Sequence, residues 1–583
     1  MNYLEKKQAW LASDKVSEAE KEIIRNADEE TIRGMFSSDL AFGTAGMRAL
    51  LGPGSARLNC LTVRRATIGV GKFLLEKYGP NAARERGFAI SFDNRHFSKE
   101  FRDTASKVLT EMGFKVYTFR DPHPTPELSY TVRRLNCVGG LMLTASHNPK
   151  EYNGYKFYDE KGCQGVYRII DGLIKTIESL PDELTCDYDK VPEDKYGKVY
   201  YLDDDEAYDL QFVKKEVSTS LYLEEFGPTR LTKIVFSPEC GCDCKVGPMA
   251  LRRAGYQVVT VPGQDYFDPD FTHTENPNPE TDGAYKGAYA ELERLKKAGK
   301  KFQLIIVTDP DADRCGIAFV NSKGEIQRFT GNQTGALLID FVLGTLKRRN
   351  KLPEKGVICN TFVTGSQGAK VAQMYGVKVR TTATGFKYIG NMADRLEMLG
   401  EKYLFGYEES YGYLLADFVR DKDSLQSIVA IADMTEYYLR QGKTLDIAYE
   451  ELSARTGRYY NEQISVGFTG SDAQERMKAE IEKLRNNPPK SLCGDDVLSI
   501  YDYQKRLIHD FVNGFTSSLN DPDIDYSDCL RFNFKSGGFL AIRPSGTEPK
   551  VKFYVEVVGL VDSEAKKLAE KKVDELKKLM GLK

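Results

Sequence analysis

The chain has five histidines in 583 residues and a net charge of only −3. So even a charge balance gives no bulk attraction to nucleic acid or to an anionic membrane, and neither is expected as a partner. No uninterrupted apolar run is long enough to span a bilayer. The first fifteen residues are charged and lack the apolar stretch of a secretory signal. Neither G-x-x-x-x-G-K-[ST] nor the kinase motif set occurs, which removes the common nucleotide-dependent designs. The 11 cysteines are odd in number and scattered, as suits free thiols in a reducing cytoplasm. Cys240, Cys242 and Cys244 form C-x-C-x-C. No matching Cys/His pair lies nearby, so a loop of free thiols is expected there rather than a metal site.

What is present is ordinary globular material, 41% hydrophobic and 29% charged, long enough for three or four domains. Residues 13–36 read as helical, with Ser17 and Glu20 as a capping box. From residue 61 helices alternate with short apolar strands, and Ser98 is expected to cap a helix running to Met112. Residues 164–215 are acidic and read as a solvated boundary. Two further α/β stretches follow. From about residue 465 strands, a glycine turn and charged helices describe a smaller α+β domain. The expected fold class is α/β: three sequential α/β domains with mixed sheets and a C-terminal α+β domain around a central cleft. The expected boundaries are 1–210, 211–325, 326–460 and 461–583.

Four polar loops follow apolar strands. In Leu141-Met-Leu-Thr-Ala-Ser-His-Asn-Pro149 an apolar run ends in a small turn, which places Ser146 just past a buried strand, where α/β proteins hold reacting groups. Alone it also fits a serine in an Asx-type turn. Asn153-Gly154 reads as a tight turn, able to fold Lys156 back towards Ser146 as a proton shuttle or to leave it as a surface charge. In Asp309-Pro-Asp-Ala-Asp-Arg314 three carboxylates at i, i+2 and i+4 cannot all be buried without a cation. Oxygen-only ligation suits Mg²⁺, and the EF-hand glycine and distal glutamate are missing. In Gly406-Tyr-Glu-Glu-Ser-Tyr-Gly-Tyr413 acids and hydroxyls at a strand end suit a sugar. Arg543-Pro-Ser-Gly-Thr547 offers a guanidinium, two hydroxyls and backbone N–H groups, a phosphate cradle without a Walker lysine. Each charge-assisted bond there would contribute about 1.5–3 kcal/mol. Phe42-Gly-Thr-Ala-Gly-Met-Arg48 is a glycine-rich turn ending in a cation. Together the loops imply phosphoryl transfer on a phosphorylated polyol, with the enzyme itself as donor through a phosphoserine.

TASHNP, DPDADR, G-x-E-E-S-x-G and RPSGTEP, in this order, resemble the α-D-phosphohexomutase superfamily from about residue 40 to 580. The FGTAGMR opening is similar to the phosphoglucomutase-2/phosphopentomutase branch and its bacterial relatives. The resemblance implies Ser146 as the phosphorylated serine and a metal ligand, and Asp309, Asp311 and Asp313 as the Mg²⁺ ligands. Lys156 is implied as general acid/base and Arg48 as an active-site arginine. Arg314, Lys387, Glu408, Ser410, Arg543, Ser545, Gly546 and Thr547 are implied as substrate contacts. The implied reaction interconverts glucose 1-phosphate and glucose 6-phosphate, with glucose 1,6-bisphosphate as intermediate and activator. Phosphopentomutase, phosphomannomutase and phosphosugar phosphatase are the alternatives. The expected partner is a small-molecule sugar phosphate, and the expected assembly a monomer or weak dimer. Glu239-Cys-Gly-Cys-Asp243 departs from the His-Gly-Thr-type turn of many relatives, and the sugar loop departs from G-E-x-S-G.

Overall fold

A computed structural model of the chain describes residues 2–43, 46–223, 225–227, 229–468, 473–545 and 550–582. Two compact units divide it. The first comprises residues 1–329, 389–395 and 410–442, and the second 330–388, 396–409 and 443–583.

In the first unit six strands form a mixed sheet: β1 Met47–Leu50, β2 Phe88–Phe92, β3 Val116–Thr118, β4 Gly139–Leu143, β5 Tyr152–Asp159 and β6 Val199–Tyr201. Their order is β1-β5-β4-β2-β3-β6. β4, β2, β3 and β6 run parallel, and β5 runs antiparallel to both β4 and β1. β2 and β4 are buried throughout, as parallel strands covered on both faces must be. A second sheet holds β7 Lys233–Ser237, β8 Gln257–Thr260, β9 Leu304–Thr308, β10 Cys315–Val320 and β11 Ile326–Phe329, in the order β11-β10-β9-β7-β8. β7, β8 and β9 are parallel, and β10 returns antiparallel. Helix Ser424–Arg440 packs on helices Asp243–Arg253 and Ala207–Val217.

In the second unit β12 Gly356–Thr361 lies between β13 Lys378–Thr382 and β14 Lys402–Glu408, all parallel. The C-terminal part is an antiparallel sheet. Helices Ala473–Asn486 and Asp562–Leu579 supply Met477, Ile481, Val573 and Leu576 to its core. The fold is therefore α/β with mixed sheets and a C-terminal α+β domain. Among the described residues no helix is long and apolar enough to cross a membrane.

Several local expectations are corrected. Residues 13–36 are two helices, Glu18–Asn26 and Glu29–Phe36. The Ser17/Glu20 capping box forms, but the Asp28 carboxylate accepts from Thr31 N at 2.8 Å and starts a new helix. A further helix, Tyr3–Ala12, precedes them with Asn2 as its cap. Ser98 is the first helical residue rather than the cap. Phe97 holds the cap position at φ 65°, and the Ser98 hydroxyl donates to Asp93. Residues 164–215 are not a solvated boundary. They hold helix Tyr167–Glu178, whose Ile170, Leu173 and Ile177 join the main core, and β6, which completes the first sheet.

Asn153-Gly154 is not a turn. Both residues lie inside β5, and Gly154 is there because two backbones press on it. A Cβ would meet Thr144 O at 2.3 Å and Met47 O at 3.0 Å. The Asn153 side chain instead donates to His96 O and Ser98 Oγ. Glu408 likewise closes β14 and is not a loop residue.

Candidate active site

Ser146 is three residues past β4, at φ 54°. A non-glycine residue in the left-handed region needs its neighbours to hold it there. Thr144 Oγ1 accepts the Ser146 N–H at 2.7 Å. Arg95 then fixes the turn from below. Its guanidinium donates to the carbonyls of Ser146 and Asn148, both at 2.5 Å, and to those of Pro149 and Tyr152 at 2.8 and 3.1 Å. Arg95 Nε sits 3.1 Å from Asp93 Oδ2, and both side chains are wholly buried. The serine is thus mounted on a planar fork anchored at the end of β2.

Ser146 Oγ donates to Asp309 Oδ2 at 2.7 Å. Asp309 follows β9. Its Oδ1 accepts the backbone N–H groups of Asp313 and Arg314 at 3.1 and 2.9 Å, curling the loop on itself with Ala312 at φ 57°. Asp309, Asp311 and Asp313 are buried, and one oxygen from each lies within 4.8 Å of the others. Burial and the facing carboxylates push Asp309 and Asp313 upward. Burial pushes Asp311 the same way, but the Lys156 ammonium overrides it and holds Asp311 well down. Asp311 Oδ1 and Asp313 Oδ1 accept no hydrogen bond among the described residues, and a buried polar atom left so costs about 1–3 kcal/mol. Converging oxygen donors with orphaned lone pairs fit a hard divalent cation.

Lys156 reaches this loop by strand register. It pairs with Met142 across β4 and β5, and its Nζ lies 2.9 Å from Asp311 Oδ2 and 4.0 Å from Asp313 Oδ2. On the other side of β5, Arg48 pairs with Gly154, two positions along and so on the same face as Lys156. Arg48 donates to Asn148 Oδ1 at 3.2 Å. Gly46 and Gly43 close the preceding turn, whose two middle residues lie outside the described residues. Arg314 is ion-paired to Glu280 at 2.7 Å.

In the second unit Glu408 and the turn before helix Phe386–Met398 come together. Glu408 Oε1 accepts the Gly385 N–H at 2.8 Å, and Lys387, one residue into that helix, lies over the Tyr388 ring. Ser410, the first residue of the 410–442 stretch of the first unit, follows in the turn after β14. Arg543 is inside a strand, opposite Lys552, and Ser545 N donates to Lys550 O at 2.8 Å, closing a hairpin. Gly546 and Thr547 lie outside the described residues.

Three residues that the motifs did not single out bear on the serine and the carboxylates. Arg95 is one. Thr125, the first residue of helix Thr125–Arg134, donates its hydroxyl to Asp311 Oδ2 at 3.1 Å and its N–H to Asp311 O at 2.9 Å. Lys422 Nζ lies 3.0 Å from Asp313 Oδ2 and 3.1 Å from Asp421 Oδ1. The unusual turn at Glu239–Asp243 also finds its reason. Cys242 N donates to Pro310 O at 2.8 Å, and a Cβ on Gly241 would sit 2.5 Å from the Pro310 backbone. The turn is a backbone brace under the acidic loop. Its thiols lie near carbonyl oxygens, those of Gly263, Phe92 and Gln264.

A buried serine bonded to a carboxylate cluster, with lysine and arginine on one sheet face, is the arrangement that metal-assisted phosphoryl transfer on an α/β scaffold calls for. The chain matches four domains described for phosphoglucomutase/phosphomannomutase: alpha/beta/alpha domain I over residues 39–181, domain II over 214–322, domain III over 330–456 and the C-terminal domain over 504–575. It is 34% identical to a phosphoglucomutase of Staphylococcus haemolyticus over 529 residues, 90% of this chain and 91% of the relative. The protein belongs to the phosphoglucomutase/phosphomannomutase family.

Two solved structures share the fold. One is parafusin, a phosphoglucomutase of Paramecium in its open form, with TM-score 0.66 and 19% identity over 93% of this chain and 95% of that one. The other is a phosphoglucomutase/phosphomannomutase family protein of Burkholderia thailandensis, with TM-score 0.65 and 17% identity over 93% and 98%.

Proposed function

We propose that the protein is a phosphoglucomutase, interconverting glucose 1-phosphate and glucose 6-phosphate through a phosphoserine at Ser146 and a glucose 1,6-bisphosphate intermediate. The observation that carries the reading is the 2.7 Å contact between Ser146 Oγ and Asp309 Oδ2 at the mouth of a buried three-carboxylate cluster. The curated relatives, named phosphoglucomutases over nine-tenths of the chain, support a mutase rather than a phosphatase. Mg²⁺, held by Asp309, Asp311, Asp313 and a phosphoserine oxygen, would supply charge neutralisation at the transferring phosphoryl group.

The chain's own groups divide the remaining work. A sugar hydroxyl oxygen forms the new P–O bond as the Ser146 Oγ–P bond breaks, and Lys156, acting as the neutral amine, takes the hydroxyl proton and becomes the ammonium. The bisphosphate then reorients and returns its other phosphoryl group to Ser146, with Lys156 giving the proton back. Arg95 and Thr144 keep the serine in line, and Arg48 faces the transferring group beside Lys156. Arg314, Lys387, Glu408, Ser410, Arg543, Ser545, Gly546 and Thr547 are the proposed substrate contacts, and residues 543–547 would take the non-reacting phosphate. The domain limits 1–210, 211–325, 326–460 and 461–583, a cytoplasmic location, and a monomer or weak dimer belong to the same proposal.

The test is a coupled assay with Mg²⁺ and a trace of glucose 1,6-bisphosphate, comparing glucose 1-phosphate with ribose 1-phosphate. Faster glucose 6-phosphate formation that is lost in Ser146→Ala is expected. Faster ribose 5-phosphate formation would move the protein to phosphopentomutase, and free phosphate without either isomer would overturn the mutase reading.

A further inference from the structure

A second cluster lies one layer behind the Asp311 carboxylate. His123, Glu127 and Asp209 are buried, and one ligating atom from each lies within 4.8 Å of the others. They come from different elements. His123 is in the loop after β3, Glu127 in the first turn of helix Thr125–Arg134, and Asp209 in helix Ala207–Val217. His123 stacks on Phe119 with ring centroids 4.0 Å apart. Its Nδ1 lies 2.9 Å from Asp121 O. A carbonyl oxygen only accepts, so Nδ1 carries the hydrogen and a neutral ring presents its Nε2 lone pair to the carboxylates. A ligating imidazole is commonly oriented by such a partner. His123 Nε2 and Asp209 Oδ1 are 3.2 Å apart, near the edge of about 3.3 Å between two ligands at tetrahedral zinc distances.

The second observation is Glu127. Its side chain is wholly buried, and neither carboxylate oxygen has a hydrogen-bond partner among the described residues. A carboxylate in that position is retained only with a proton or a cation to offset its burial. One imidazole nitrogen and two carboxylates form a mixed N/O donor set, which suits zinc better than the oxygen-only Asp309 loop does. Asp209 Oδ2, turned the other way, meets Lys245 at 3.4 Å, and that lysine is more than half exposed. It marks the side from which an ion could enter.

We infer that His123, Glu127 and Asp209 form a second divalent-metal site, for zinc or a zinc-like transition ion, structural rather than catalytic. Thr125 sits between two of the ligands and holds Asp311 through its hydroxyl and its N–H. The ion would therefore brace the loop on which an active-site carboxylate leans.

The test is a metal count on the full chain, equilibrated with stoichiometric Zn²⁺ under excess Mg²⁺ and then desalted. About one Zn²⁺ per chain is expected in the wild type and in Asp311→Asn, and less than about a tenth in Glu127→Gln and in Asp209→Asn. Replacing Zn²⁺ by Co²⁺ should give ligand-field absorption that disappears in Glu127→Gln. Zinc kept by Glu127→Gln but lost from Asp311→Asn would put the ion in the catalytic loop and overturn the inference. A wild-type chain that retains no zinc overturns it too, by leaving a proton-sharing trio, and that result needs no variant to fold.

Discussion

Arg95 makes the sharpest prediction about a single residue. Its guanidinium donates to four carbonyls of the serine turn and faces a fully buried Asp93. Removing one partner of a buried pair typically costs about 3–5 kcal/mol, and here the carbonyls are stranded as well. Arg95→Met is expected to lower the urea midpoint strongly and to cut kcat more than KM, since it frees the serine without touching the sugar contacts. Arg95→Met with Asp93→Asn should recover stability but not kcat. Recovery of both would show that Arg95 only balances charge. That Ser146 and the three aspartates would come together was legible, because they sit in short, dense motifs. Arg95, Thr125 and Lys422 were not, since each acts through a contact between distant segments. An arginine three residues past the apolar run Phe88–Phe92 was the available signal.

Strand register, more than turn chemistry, delivers the lysine. An Asn-Gly pair between apolar residues normally signals a hairpin, and that signal misled because Gly154 answers a different need. It lets Thr144 O and Met47 O approach the middle of β5. Gly154→Ala should therefore destabilise by about 1–3 kcal/mol, as overpacking does. It should also lower turnover disproportionately, because Thr144 leads straight into the serine turn. Thermal melts and steady-state rates would check this, and an alanine variant of unchanged rate would remove the register argument. Most helices and parallel strands were legible from apolar runs and their punctuation, within a few residues. The break at Asp28 and the strand position of Glu408 were not. In both, short-range polarity looked continuous while backbone pairing changed partners.

For the whole molecule, chelation and pH probe the same feature, an excess of buried carboxyl groups in the first unit. EDTA should abolish turnover and Mg²⁺ should restore it, and activity persisting through exhaustive chelation would contradict the role of Asp309, Asp311 and Asp313. Elsewhere burial pushes Asp159 up to about 6, Asp243 and Asp423 to about 7, and Glu239 to about 8. For an acid whose folded pKa is raised, stability is full below the unfolded value and is lost as pH rises through the folded one. These four groups therefore all act in one direction between pH 5 and 8, and the protein should become less stable across that window. Glu239 isolates the effect. It is buried, accepts the Ser237 hydroxyl at 2.6 Å through Oε1, and its Oε2 accepts no hydrogen bond within geometric limits among the described residues. Glutamine keeps the shape and that acceptor but cannot ionise. Between pH 6 and 8 the Glu239 contribution should fall by about 2 kcal/mol. Glu239→Gln should remove that part of the slope while matching the wild type near pH 5. Parallel denaturation curves for the two proteins from pH 5 to 8 decide it. A variant whose stability falls as steeply as the wild type's would mean that Glu239 is already ionised in the folded chain. The brace beneath the acidic loop would then carry a charge that the surrounding backbone, and not a proton, must hold.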